Sequence, residues 1–170
     1  YGRKALMEKL PPFLGGGAMI ESVHTDRITY GGLPNRFEAG TPPIVEAIGL
    51  AAALSYMMQV GRNEIASHEH DLTRYAHARL GDFNWLKIHG TTADKGAIVS
   101  FTMDGLHPHD VSTIIDRSGV AIRAGHHCAQ PLMERFGVAA MCRASFGLYN
   151  TRADVDALAD ALIKAREFFA

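Results

Sequence analysis

The run Arg123-Ala124-Gly125-His126-His127-Cys128-Ala129-Gln130-Pro131-Leu132-Met133 holds the residues of this chain best suited to covalent chemistry. It sets a cysteine on a glycine-flanked turn, directly after two imidazoles and before a proline that can open a helix. The nucleophilic form of cysteine is the thiolate, which needs both access and stabilising neighbours. His126, His127 and Arg123 are the groups placed to provide that stabilisation, and the sequence does not choose among them.

Fourteen residues after Cys128, Cys142-Arg143-Ala144-Ser145 begins a strand-like run that continues through Phe146-Gly147-Leu148-Tyr149. On an alternating strand Arg143, Ser145 and Gly147 share one face, and Cys142, Ala144 and Phe146 the other. Cys142 then reads as a packing residue. The planar guanidinium of Arg143 can grip a carboxylate through two parallel hydrogen bonds, although a surface ion pair is the plainer use of such a residue. Other readings compete for Cys128. A lone cysteine commonly packs as a small hydrophobe. A metal site is not expected, because three consecutive ligands do not easily converge on one ion and no CxxC or HxxxH spacing accompanies them. A Cys128–Cys142 disulfide is allowed by count, but a two-cysteine chain with no secretory signature fits a reducing compartment better, so a cytoplasmic location is expected.

The elements that position these residues follow from pattern. Lys4 to Lys9 is a short helical patch closed by Pro11-Pro12, and Met19 to Tyr30 reads as a β-hairpin turning at His24-Thr25-Asp26. Thr41-Pro42-Pro43 predicts a helix start with Thr41 as N-cap. The helix behind it, Ile44 to Met58, is apolar on nearly every side and is expected to be well buried. Gly61 ends it and marks a boundary between residues 1–60 and 61–170. A more polar helix, Asn63 to Leu80, presents Ile65, Leu72, Ala76 and Leu80 on one face.

Strands are expected at Trp85–His89, Ala97–Met103, Val120–Arg123 and Cys142–Tyr149. Helices are expected at Pro108–Arg117, Pro131–Phe136 and Arg152–Phe168. The last has Thr151 and Asp154 as a capping-box variant and Val155, Leu158, Ala159, Leu162 and Phe169 as its apolar positions. His107 and His109 flank the start of one helix and read as caps, while His68, His70 and His77 read as solvated. Strands on a helix-covered sheet make an α/β module.

Bulk properties bound the partners. Seventeen basic residues against 18 acidic give a net charge of −1, with no basic cluster, so nucleic acid and anionic membrane are not expected partners. The longest apolar run, Ile44 to Val60, is broken by Glu46, Gly49, Ser55 and Gln59 and reads as a core helix rather than a membrane span. The chain opens at Tyr1 rather than Met, as a piece of a longer protein would.

The cysteine segment, with its His-His-Cys form and short loop, resembles the active-site region of the group II (SufS-type) cysteine desulfurases, and the whole chain resembles the C-terminal part of such an enzyme. The resemblance implies a fold-type I pyridoxal phosphate protein of the aminotransferase class V kind. Residues 1–60 would be the tail of its large cofactor domain, and residues 61–170 the small α/β domain. It implies removal of sulfur from L-cysteine to give L-alanine and a persulfide on Cys128, passed to a SufE- or SufU-like acceptor for iron–sulfur cluster assembly by a homodimer. It further implies that Arg143 holds the substrate carboxylate, with Arg123 a secondary candidate, and that Thr41, with Gly40, reaches the cofactor phosphate across the dimer interface. The lysine that anchors the cofactor would lie shortly upstream of Tyr1, since none of Lys4, Lys9, Lys87, Lys95 or Lys164 sits in the family's His-Lys context. Selenocysteine lyase shares the scaffold and is the alternative activity. A non-catalytic small-domain module that binds a partner or carries sulfur is the alternative of another class.

Overall fold

The structure, a computed structural model, describes residues 2–169. It divides into two compact units, Tyr1–Gln59 and Val60–Ala170.

The first unit contains the short helix α1 (Lys4–Met7), the antiparallel hairpin β1 (Ile20–Val23) and β2 (Ile28–Tyr30), and all but the last residue of the long helix α2 (Ile44–Val60). Arg36 ties its loops together by donating to the carbonyls of Gly31 and Glu8, each at 3.2 Å. Two expectations fail here. The first is Thr41 as N-cap: α2 begins at Ile44, and the carbonyl of Pro43 accepts the first helical bond from Ala47 N–H at 2.9 Å. The cause is Pro43, which pushes the residue before it, Pro42, out of the helical region and moves the start past both prolines. The second is burial of α2, every residue of which is at least partly exposed, with Val45 at 79% and Met58 at 76%. A helix apolar on all sides needs neighbours on all sides, and a four-residue helix with a short hairpin cannot surround it.

The second unit is a four-stranded, fully antiparallel sheet in the order β3-β4-β6-β5, formed by Leu86–His89, Ile98–Met103, Met141–Ser145 and Arg123–Gly125 respectively. Helices α3 (Arg62–Gly81), α4 (Pro108–Asp116) and α6 (Arg152–Phe168) pack against one face of it. That face supplies Val99, Phe101, Cys142 and Ala144 to the core. The helices supply Leu72, Ala76 and Leu80 from α3, Val111 and Ile115 from α4, and Val155, Leu158 and Leu162 from α6. The face predicted for α3 is thus the buried one. Each fully buried aliphatic or aromatic side chain contributes about 1.5–3 kcal/mol, so the sheet is a rigid platform for whatever its other face carries.

His107 caps α4 as expected, its Nδ1 accepting from the N–H of His109 at 3.3 Å. At the head of α6 the Asp154 carboxylate accepts from the Thr151 N–H at 2.7 Å. Phe169, placed among the apolar positions of α6 by spacing, lies past the helix end and is 41% exposed. β5 starts later than the apolar run Val120–Ile122 suggests. Gly119 adopts φ +76° and Val120 N–H still bonds back to the Ile115 carbonyl at 3.3 Å, so Val120 closes the end of α4 and pairing begins only at Arg123. β6 stops at Ser145, because Gly147 N–H turns to the Asn150 side chain at 2.8 Å.

Candidate active site

Directly paired residues of antiparallel strands point to the same face. The register pairs His89 with Ser100, Ser100 with Arg143, and Arg143 with Arg123. These four side chains therefore form a polar row across all four strands, on the face opposite the packed helices. Cys142, one residue over, faces the core at 1% exposure, where burial pushes its thiol up to about 12. Its Sγ–H points at the Pro108 carbonyl, 3.7 Å away.

The loop from β5 to helix α5 (Gln130–Phe136) brings Cys128 to the end of this row. His127 and Cys128 both adopt left-handed backbone, φ +56° and +59°. Such conformations cost of order 1–3 kcal/mol each in residues with a side chain and persist only where surrounding contacts impose them. The contacts are visible. His127 Nε2–H donates to the Met141 carbonyl at 3.0 Å, Ala129 N–H bonds to the His126 carbonyl at 2.9 Å, and Met133 of α5 is buried. Phe136, at the far end of α5, sets its ring edge-on to buried His89 at 5.1 Å between centroids, and His89 Nε2 meets Thr102 Oγ1 at 3.0 Å.

Held this way, the Cys128 thiol is exposed, and Arg123 Nη2 donates to its sulfur at 3.5 Å. Among the three neighbours that sequence left open, Arg123 is the one that touches the sulfur. His127 is turned toward the backbone and His126 is exposed. Burial holds His127 below the ordinary imidazole range. The bond to Met141 opposes that shift, while the charges of Arg143 and Arg123 and the ring of His126 add to it. A neutral ring that donates from Nε2 has an acceptor at Nδ1, and that atom is buried without a partner, as is the donor Nε–H of Arg143. Buried polar atoms in native folds are almost always paired. Two orphans of opposite sense beside an exposed thiol mark a place where a polar ligand belongs.

The structure thus gathers Arg123, His126, His127, Cys128 and Arg143 in one loop–sheet corner. Thr41 and Gly40 belong to the other unit. Gly40, at φ +84°, gives its N–H to the Gly17 carbonyl at 2.8 Å, and the Thr41 side chain beside it is exposed. His89 was not singled out by sequence. Its place in the row depends on cross-strand register, which alternation along one strand does not give. His77 was expected to be solvated, yet it is half-buried and accepts a hydrogen bond from Lys95 Nζ at 3.0 Å.

Comparison with known proteins agrees with this architecture. A probable cysteine desulfurase of Streptomyces coelicolor is 50% identical over 171 residues, covering 99% of this chain and 41% of that protein. A cysteine desulfurase of Haloferax volcanii is 47% identical, covering 100% and 40%. The chain therefore spans about two fifths of the length of the curated relatives it matches. Among solved structures, the cysteine desulfurase CsdA of Escherichia coli in its S-sulfonic acid form superposes with a TM-score of 0.89 at 37% identity, covering 99% of this chain and 42% of that one. The apo cysteine desulfurase of Thermococcus onnurineus gives the same TM-score at 36% identity, again covering 99% and 42%. The α/β fold is that of these pyridoxal phosphate enzymes, and the model of the family described as Aminotransferase class-V runs through residues 1–158. With nearly its whole length inside that match, the chain belongs to the aminotransferase class-V family.

Proposed function

We propose that this chain is the C-terminal portion of a group II (SufS-type) cysteine desulfurase, and that Cys128 is the residue that takes sulfur from L-cysteine. The observation that carries the reading is the exposed Cys128 thiol, held in left-handed backbone with Arg123 Nη2 at its sulfur and Arg143 in register beside Arg123. Relatives named cysteine desulfurase over the full length of the chain support it.

Each unit, taken by itself, offers one group that suits a pyridoxal phosphate enzyme. The unpaired, buried Nε–H of Arg143 suits a carboxylate, and Thr41 offers a hydroxyl to a phosphate. The covalent anchor is not among them: Lys95 is bonded to His77 and the Gly90 carbonyl, Lys4 lies 3.9 Å from Glu8, and the remaining lysines are exposed. On this reading the anchoring lysine belongs to the part of the protein outside this chain. When bound, the cofactor supplies an electron sink that weakens the bond between sulfur and carbon in the substrate.

The protein's own residues do the rest. Arg143 holds the substrate carboxylate by charge-assisted hydrogen bonds, which fixes the position of the substrate sulfur. Arg123 stabilises negative charge on Cys128 Sγ, and the short strained loop limits the thiolate's freedom. Sγ attacks the substrate sulfur, a sulfur–sulfur bond forms as the carbon–sulfur bond breaks, and the carbon skeleton leaves as alanine after gaining a proton. The persulfide then stands on an exposed loop, open to a SufE- or SufU-like acceptor, in a cytoplasmic homodimer serving iron–sulfur cluster assembly. The uncovered apolar surface of α2 is in keeping with further chain around it. The test is alanine formation from L-cysteine by the complete protein. Activity that disappears in Cys128→Ser supports the reading, and undiminished sulfur transfer in that variant overturns it.

A further inference from the structure

Away from the cysteine loop, the loop between β3 and β4 folds against α3 and borders a half-open pocket of about 290 Å³. Its lining includes His70, Arg74 and His77 from one face of α3, and Thr91, Thr92 and Lys95 from the loop. Lys95 is the chain's one lysine that is neither exposed nor ion-paired among the described residues. Its Nζ donates to His77 Nε2 at 3.0 Å and to the Gly90 carbonyl at 2.7 Å.

Two hydrogen bonds use two of the three N–H positions of an ammonium. A neutral amine keeps both and turns its lone pair to the remaining tetrahedral position. Losing the proton therefore sacrifices neither bond, and burial favours that loss, holding Lys95 below the ordinary lysine range. His77 is likewise held low, first by burial and then by the neighbouring Lys95 charge, so its ring is neutral and its Nε2 is an acceptor. The acidic groups nearby, Glu69 and Asp94, line a separate cleft beside Lys95, and neither forms a salt bridge with it. Arg74, though paired with Asp71 through Nη2 at 2.7 Å, keeps further donors, and Thr91 and Thr92 line the same pocket.

We propose that Lys95 is an acylation site, its amine accepting a small acyl group from an acyl phosphate, with His77 as the base. The Nζ lone pair attacks the acyl carbon and a nitrogen–carbon bond forms. The carbon–oxygen bond to phosphate breaks, and phosphate leaves with the electron pair. The surplus proton passes from Nζ to His77 Nε2 and on to solvent. The remaining donors of Arg74, at the rim of this mostly apolar pocket, suit the phosphate leaving group. The product amide has a single N–H, so it cannot keep both the His77 and Gly90 bonds, and acylation loosens the loop that leads into the central strand β4.

The experiment exposes the purified complete protein to acetyl phosphate near neutral pH and follows acetylation of each lysine by peptide mass spectrometry. Lys95 is expected to acetylate several-fold faster than exposed Lys4, Lys9, Lys87 and Lys164. His77→Ala and the bulkier His77→Gln are expected to slow Lys95 by about tenfold, below the ~10²–10⁴-fold of a base inside an active site, with the other lysines unchanged. Thermal melts of both variants establish that they are folded. Acetylation of Lys95 no faster than of the exposed lysines, or undiminished in folded His77 variants, overturns the proposal. Neither outcome bears on Cys128.

Discussion

Arg123 Nη2 lies 3.5 Å from Cys128 Sγ, although the two residues stand on opposite sides of a turn. The contact exists because Gly125, at φ +130°, and the left-handed pair His127 and Cys128 fold the chain back on β5. The same strand pairs Arg123 with Arg143. One turn thus joins the thiol to a guanidinium and sets a second guanidinium alongside.

If that contact tunes the thiol, Arg123→Ala slows alkylation of Cys128 by a small reagent at neutral pH. The site is exposed, so the loss is modest: about 1 kcal/mol, or roughly fivefold in rate, is expected. Arg123→Lys retains part of the rate, because it keeps charge but not the planar fork. Stopped-flow alkylation of the native protein measures this, and unchanged rates in Arg123→Ala would leave the contact without chemical effect.

Cys142 behaves oppositely. Its thiol, pushed up to about 12 from 9.0 by burial, stays protonated in the folded state while the unfolded thiol ionises. Below pH 9 the two states bind the same proton and the group contributes no pH dependence. As pH rises from about 9 toward 12, only the unfolded state loses it, so stability falls. Urea unfolding at pH 8 and pH 10 is expected to show a smaller decline in Cys142→Ala than in the wild type. At pH 8 only Cys128 alkylates before denaturation.

In the complete enzyme Arg143→Ala removes charge-assisted hydrogen bonds of roughly 1.5–3 kcal/mol each, and kcat/KM for cysteine falls at least about tenfold. Arg143→Lys recovers part of it. Cofactor absorbance is expected to persist in both, since an arginine does not form the cofactor's covalent link. Wild-type kcat/KM in a cofactor-loaded Arg143→Ala would make Arg143 structural.

Periodic elements were legible in the sequence. The buried face of α3, the α4 cap and the α6 start follow from apolar spacing and capping residues, whose effects are local. Cys128 and Arg143 stood out in the sequence by residue type and neighbours, and the structure brings both to the same loop–sheet corner of the second unit. The role of Arg123 as the sulfur's partner was not legible, since it depends on backbone in the left-handed region at two non-glycine residues. His89 and the Lys95–His77 pair were hidden for a related reason: each needs the register of β3 against β4 or the fold of the loop between them. The exposure of α2 shows the limit of composition, which reports that a helix wants burial and not whether its own chain supplies it.

The central claim is that sulfur resides on Cys128. The most direct measurement is intact and peptide mass spectrometry of the complete protein after brief incubation with L-cysteine, without reductant. The account predicts a gain of one sulfur atom on the peptide containing Cys128, none on the peptide containing Cys142, and no gain at either position in Cys128→Ser. Persulfide found mainly on Cys142, or alanine released with Cys128 unmodified at every time point, would contradict it.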